Sequence, residues 1–316
     1  MLRQVVGALP DHSLKGLLVG LDSADDAAVY QLTPERAIVS TIDVITPIVD
    51  DPATFGRIAA ANAFSDVYAM GARPLISLSF LSSVEALPVS MVQDMIRGAG
   101  EFALGEGAPI VGGHSVEGKD LLLGLVVIGE THPGHIWTKG AAKPGDALYL
   151  SKPLGTGTLT TAVKRGVISL ESIHDAVIGM ASSNGVTAAL AREFNIRSAT
   201  DITGFGLAGH LAEMAAHSGA RFDLECARLP AYTSAIESLA SGVVTRGNAR
   251  NEAYVQSLVS VEGDIPPLAL DPQTSGGLVL AVDQNVTTEF ERRAQEREIT
   301  MWRIGTVSTG SGLAFY

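Results

Sequence analysis

Cysteine is almost absent from this chain: of 316 residues, only Cys226 carries a thiol. A single cysteine excludes an internal disulfide and any zinc site built on cysteines, and it fits a reducing compartment. Basic residues are also scarce. With 22 Lys and Arg against 34 Asp and Glu, the formal charge is −12 and no basic stretch occurs. That balance cannot neutralise a phosphate backbone, which excludes a nucleic-acid partner. Long apolar runs are missing too: none reaches the roughly 18 residues a membrane span needs. The N-terminus, "MLRQVVGALPDHSLKG", lacks an apolar signal core with a small-residue cleavage site. A cytoplasmic protein without membrane contact is expected. No cap or leader precedes Leu2, so Met1 need not be the natural start.

What is present is a folded globular composition, 46% hydrophobic and 18% charged, with 34 glycines for tight turns. The length suits two domains. "AAVYQLTPERAIVSTIDVIT" reads as two β-rich runs around a Pro-containing turn. "FGRIAAANAFSDVYAMG" then has helical spacing and a buried composition, with Asp51 placed as N-cap, Pro52 at the first helical position and Gly71 at the end. "RPLISLSFLSS" predicts a strand and "VSMVQDMIRGAGEFALGEG" a helix. "APIVGGHSV" predicts a strand entering a glycine turn, and "LLLGLVVIGETH" a buried strand. The small, polar "TKGAAKPGD" marks a boundary, giving domains over 1–138 and 139–316. In the second, helices are predicted near 171–194 and 205–217, and strands at 198–202, 221–225 and 277–283. Strands alternating with helices in both halves give an α/β (α+β) protein.

Aspartates recur beside small or β-branched residues: Asp25 and Asp26 in "SADDAAVY", Asp43 in "STIDVITP", Asp66 in the helix, and Asp201 in "ATDITGFGLAGH". Hard cations such as Mg²⁺ take carboxylate oxygens and bind phosphate oxygens alongside. Taken singly, each aspartate also reads as a turn or cap residue, as Asp50 and Asp51 do. Asp66 resists that reading, because Asp is a poor helix former. It lies one turn from Asn62, on the same helix face.

Two glycine segments, "VGGHSV" and "LGTGTLTT", could offer backbone N–H groups to oxyanions. Neither is a G-x-x-x-x-G-K-[ST] loop, and no dinucleotide fingerprint occurs. His210, Glu213 and His217 share a helix face without the H-E-x-x-H spacing, so an ordinary helix face is expected rather than a zinc site. Cys226 lacks a basic or His-rich context and is expected to be a buried small hydrophobe.

In order, "DDAAVY", "STIDVITPIVDDPATFGRIAAANAFSDVYAMGARP", "VGGHSV", "SKPLGTGTLTTA", "TDITGFGLAGHLAEM" and "DPQTSGGLVLAV" resemble selenophosphate synthetase, also called selenide, water dikinase. The long helix motif is specific, whereas "TSGGL" and "TGFG" recur in the aminoimidazole ribonucleotide synthetase-like superfamily. The resemblance implies that ATP, selenide and water give selenophosphate, AMP and phosphate. It also implies a two-domain fold whose N-terminal halves pair into a β-barrel across a homodimer. By position, Asp26, Asp43, Asp66 and Asp201 would hold Mg²⁺, with Asn62 as a neighbouring contact. Ser23, Ala24 and Asp25 would lie along the nucleotide, which Asp43 and Asp66 also approach. Gly112, Gly113 and His114 would reach it from the partner turn.

The family's catalytic Cys or selenocysteine, with a Lys after it, falls ahead of the counterpart of "LRQVVGAL", upstream of Met1. None of the residues given is therefore expected to be that nucleophile, and impaired catalysis is expected of this chain. Ile42 stands where the family usually has a second Thr, with a modest expected effect on nucleotide contacts. Two other readings are a different ATP-dependent enzyme of the superfamily and a non-catalytic nucleotide-binding regulator.

Overall fold

The computed structural model describes residues 8–9 and 14–316, so most of the N-terminal stretch considered above for a leader lies outside the described residues. The first sheet comprises β1 (Leu17–Val19), β2 (Ala28–Thr33), β3 (Arg36–Ile45), β4 (Arg73–Ser83), β5 (Ile110–Glu117) and β6 (Leu122–Thr131), in the order β1-β2-β3-β6-β4-β5. Every pairing is antiparallel except β4 with β5. Two helices, α1 (Pro52–Ala69) and α2 (Val89–Gly105), belong to this half.

Alternation along the strands gives the sheet two faces. Val39, Leu123, Leu125, Val127 and Leu81 point inward and are buried. On the outward side, register places Ile42, Val126 and Leu78 in one row and Ser40, Ile128 and Ile76 in the next. Helix α1 starts as its caps predict. The Asp51 carboxylate accepts from the Thr54 N–H at 2.7 Å, Pro52 is the first helical residue, and Gly71 turns the chain away in the left-handed region at φ 72°. Glycines bring α1 and α2 together: a Cβ on Gly56 would lie 1.9 Å from the Met95 carbonyl oxygen, and one on Gly98 would lie 2.0 Å from that of Ala53.

The second sheet contains β7 (Ala147–Leu150), β8 (Ser198–Asp201), β9 (Arg221–Leu224), β10 (Val261–Glu262), β11 (Leu278–Val282), β12 (Trp302–Ser308) and β13 (Gly312–Phe315). Their order is β10-β13-β9-β12-β7-β11-β8. Around it lie α3 (Thr156–Lys164), α4 (His174–Ala181), α5 (Gly185–Ala191), α6 (Gly206–Ser218), α7 (Arg246–Leu258) and α8 (Thr287–Glu296). The helix predicted over 171–194 is broken after Ala181. At the break the Ser183 hydroxyl accepts from the Gly185 N–H at 2.8 Å, a local bond that competes with the helical ladder. An apolar cluster runs from Val39 and Phe64 through Tyr149, Leu278 and Phe290, so the two halves share a core. No helix of the described residues is long and apolar enough to cross a membrane.

Candidate functional site

The turn before β2 delivers the first acids. Ala24 sits at φ 48°, a left-handed conformation a non-glycine residue rarely adopts. Its carbonyl there accepts from Lys139 Nζ at 3.0 Å, while Asp25 Oδ1 accepts from the Lys139 backbone N–H at 2.7 Å. Asp26 accepts from Thr200 Oγ1 at 3.0 Å and pairs with Lys139 Nζ at 2.9 Å. The same ammonium meets Glu213 of α6 at 2.8 Å, which uses its three donors. The predicted linker thus contains a buried lysine that ties the two halves together.

Helix α1 contributes the polar stripe Asn62, Ser65 and Asp66, all buried. Asn62 Nδ2 donates to Asp43 Oδ2 at 2.7 Å, and Asn62 Oδ1 accepts from the Ser275 N–H at 3.0 Å. Asn184 Nδ2 donates to Ser65 Oγ at 2.9 Å, and Thr41 Oγ1 donates to Asp66 Oδ2 at 2.5 Å. These side chains face the second half across the seam, which explains an amide and a carboxylate inside an otherwise apolar helix.

Asp201 ends β8 and completes the cluster. One carboxylate oxygen each from Asp26, Asp66 and Asp201 lies within 4.8 Å of the others. Asp26 Oδ2 and Asp201 Oδ2 are buried with no hydrogen-bond partner. Buried carboxylate oxygens without partners, gathered from three elements, fit a hard divalent cation. Asp43 stands outside this trio, engaged by Asn62.

Electrostatics follow from burial. Burial pushes Asp43 up to about 6, against the Asn62 hydrogen bond, and pushes Asp201 up to about 7, with Asp26 adding to the rise. Asp66 is held well above the ordinary carboxylate range by burial, then by Asp201 and Asp43. Burial alone would lower the Lys139 ammonium, but Asp26 and Glu213 outweigh it and keep the group protonated. A carboxyl raised above its unfolded value of 3.8 contributes stability below that pH and loses it as pH rises through the folded value. The metal-free protein should therefore lose a few kcal/mol between about pH 4 and pH 7. Chemical denaturation in EDTA reads this, and Mg²⁺ should cancel most of the loss at pH 8. A flat EDTA profile would contradict the cluster's electrostatics.

The other residues singled out from sequence scatter. Ser23 Oγ donates to the Gly20 carbonyl at 2.9 Å, a bond within its own turn. Gly112, Gly113 and His114 lie inside β5 rather than in a turn after it, where the register with β4 slips as a bulge. Their strand is three away from β3, roughly 14 Å at ordinary strand spacing, so within one chain they do not join the cluster. In "LGTGTLTT" the amides at the start of α3 are already used. Gly155 and Thr156 donate to Gln273 Oε1 at 3.0 and 3.1 Å, and Gly157 donates to Asp271 Oδ2 at 3.1 Å.

The α6 face is not an ordinary one, since Glu213 is buried with Lys139 and also accepts from Tyr254 at 2.6 Å. His210 is buried and pushed down to about 3 by burial, while His217 is exposed. Cys226 is half-buried against the second core, and burial pushes its thiol up, away from nucleophilic chemistry. Sequence pattern does not single out Lys139 or Lys152 as site-forming residues. Their signal, a lysine between small residues, is indistinguishable from a solvated one. A cavity of about 700 Å³ opens elsewhere, between Arg36, Arg73, Trp137 and Arg192, and shares no residue with the acidic cluster.

Two family descriptions match the chain: "AIR synthase related protein, N-terminal domain" over residues 24–131 and its C-terminal counterpart over 143–316. The chain is 39% identical to a selenide, water dikinase of Carboxydothermus hydrogenoformans, over 98% of this chain and 92% of that protein. It is 42% identical to one of Geobacter metallireducens, over 92% and 86%. The chain belongs to the selenide, water dikinase family. Solved structures share the fold of this family member at lower identity. A thiamine-monophosphate kinase from Stenotrophomonas maltophilia aligns with TM-score 0.71 and 22% identity over 95% of this chain and 91% of that one. A hydrogenase maturation protein HypE aligns with TM-score 0.67 and 23% identity over 95% and 89%. These two likenesses speak to architecture alone, whereas the dikinase relatives disfavour the other superfamily activities.

Proposed function

We propose that this chain converts ATP, selenide and water to selenophosphate, AMP and phosphate. The observation that carries the reading is the convergence of Asp26, Asp66 and Asp201 from both halves, with two orphaned oxygens, in a chain about 40% identical to selenide, water dikinases. Asp26, Asp66 and Asp201 would hold Mg²⁺, with Asp43, oriented by Asn62, as the fourth ligand beside them. When bound, Mg²⁺ supplies charge neutralisation to a triphosphate and to its departing phosphoryl groups. The chain's own residues position this set. Lys139 pairs with Asp26 and partly opposes the rise that burial imposes on it, Thr41 orients Asp66, and Asn62 orients Asp43. The turn at Ser23, Ala24 and Asp25 would border the nucleotide, and its half-exposed place beside the cluster supports that.

A homodimer paired through the N-terminal sheets belongs to the same proposal. The outward rows Ile42–Val126–Leu78 and Ser40–Ile128–Ile76 form an apolar face on which Ile42 is 59% exposed. Ile42 therefore points away from Asp43, toward this face rather than toward nucleotide. Gly112, Gly113 and His114 would serve the partner's nucleotide, in keeping with their distance from their own acids. We place the domain division at 138/139, and the protein in the cytoplasm on its single cysteine.

The test is ³¹P NMR of the chain with ATP, Mg²⁺ and selenide under anaerobic conditions. A selenophosphate resonance with AMP and phosphate is expected, and its rate decides whether catalysis is impaired. Turnover of thiamine phosphate or formylglycinamidine ribonucleotide, with none of selenide, would replace this reading with another activity of the superfamily.

A further inference from the structure

Lys152 follows β7 in "YLSKPLG" and is 6% exposed. Among the described residues it has no ion pair at all. Its Nζ donates to two backbone carbonyls, Ser182 at 2.9 Å and Ser275 at 3.0 Å. A buried lysine with no paired carboxylate is costly to keep charged: burial pushes it down to about 7, which Asp201 only partly opposes, and an apolar side chain could fill the same volume. The explanation lies in what those carbonyls hold. The Ser275 peptide is gripped from both sides: its C=O by Lys152, and its N–H by Asn62 Oδ1 at 3.0 Å. Asn62 in turn donates Nδ2 to Asp43 at 2.7 Å. Ser275 itself sits at φ 49°, a strained conformation that its surroundings must enforce. The chain after it is closely packed, since a Cβ on Gly277 would lie 2.4 Å from the Lys152 backbone nitrogen. The second carbonyl, Ser182, opens the break between α4 and α5, and two residues later Asn184 donates to Ser65 on the same stripe of α1.

We propose that Lys152 is a positioning residue for the acidic cluster, acting through the Ser275 peptide and Asn62 on Asp43. Donation from Lys152 Nζ to the Ser275 carbonyl polarises that peptide's N–H toward Asn62, and hydrogen bonds in series strengthen one another. With its Oδ1 committed to that N–H, Asn62 must present its NH₂ to Asp43, whose carboxylate can only accept. Lys152 thereby orients a carboxylate on the opposite side of the domain seam. The inference rests on the reading that this cluster binds a divalent cation.

The test is Mn²⁺ binding by electron paramagnetic resonance, on the full chain, for the parent, Lys152→Met, Asn62→Ala and the double variant. Residues that orient metal ligands change affinity by about 10–100-fold. Lys152→Met and Asn62→Ala should each weaken Mn²⁺ by about tenfold, and the double variant should be no weaker than the worse single, within about twofold, because both cut one chain of bonds. A merely structural lysine would lower stability while leaving Mn²⁺ affinity unchanged or giving additive losses, and either result overturns the proposal. If Lys152→Met does not fold, Lys152→Gln keeps one amide donor and takes its place in the same cycle with the same criteria. A parent that binds no Mn²⁺ overturns the cation reading itself. A parent that binds, with variants that bind equally, overturns only the role of Lys152.

Discussion

Asp201→Asn should weaken Mg²⁺-dependent ATP binding by about 100-fold or more, since removing a ligand costs at least as much as removing a residue that orients one. The same substitution should stabilise the metal-free protein. Asp201 is buried and pushed up to about 7 by that burial and by Asp26, so at pH 8 it is ionised at a cost. Moving a carboxyl from 3.8 to about 7 corresponds to roughly 2–4 kcal/mol of destabilisation above both values. An amide removes that penalty while keeping the shape. Titration calorimetry with ATP in Mg²⁺, beside chemical denaturation in EDTA at pH 8, reads both effects. Opposite signs are the signature of a cation site formed at the expense of stability. Unchanged ATP binding would remove Asp201 from the metal set.

Lys139→Met should be the most damaging single change to the fold near the site. It strands Asp26 and Glu213, both buried, without their common cation. Breaking a buried pair on one side typically costs about 3–5 kcal/mol, because a charge is left uncompensated. Adding Glu213→Gln should recover part of the loss by removing one stranded charge. Mg²⁺ should also stabilise Lys139→Met more than the parent, since Asp26 then has no other cation to meet. Denaturation curves with and without Mg²⁺ decide this. A variant as stable as the parent would mean the ammonium is dispensable.

The sequence by itself determined a good deal. The alternation and caps that place β2 to β6 and α1 depend on local rules, such as the Asp51 side chain meeting the Thr54 N–H, and local rules are written in neighbouring residues. A carboxylate inside an apolar helix raises the expectation of a positive partner, and four aspartates in motif order raise that of Mg²⁺; both belong to the proposal. Where elements depend on distant contacts, the local pattern misplaces or omits some of them. The predicted helix over 171–194 breaks because Ser183 and Asn184 bond locally and across to α1. The sequence pattern assigns nothing to helices α7 and α8 or to strands β12 and β13.

Only the tertiary structure decided which polar groups are used up and which are left over. The amides of "LGTGTLTT" look free for phosphate, yet Gln273 and Asp271, more than a hundred residues away, occupy them. Lys139 reads as a linker lysine until Asp26 and Glu213 close on it from separate halves. Asp43 and Asp66 are both candidate ligands from sequence, but Asn62 engages one while the trio takes the other. Chemical type is a property of a residue, whereas burial and partnership belong to the packed chain, because desolvation and hydrogen bonding are set by whatever arrives from elsewhere in the fold.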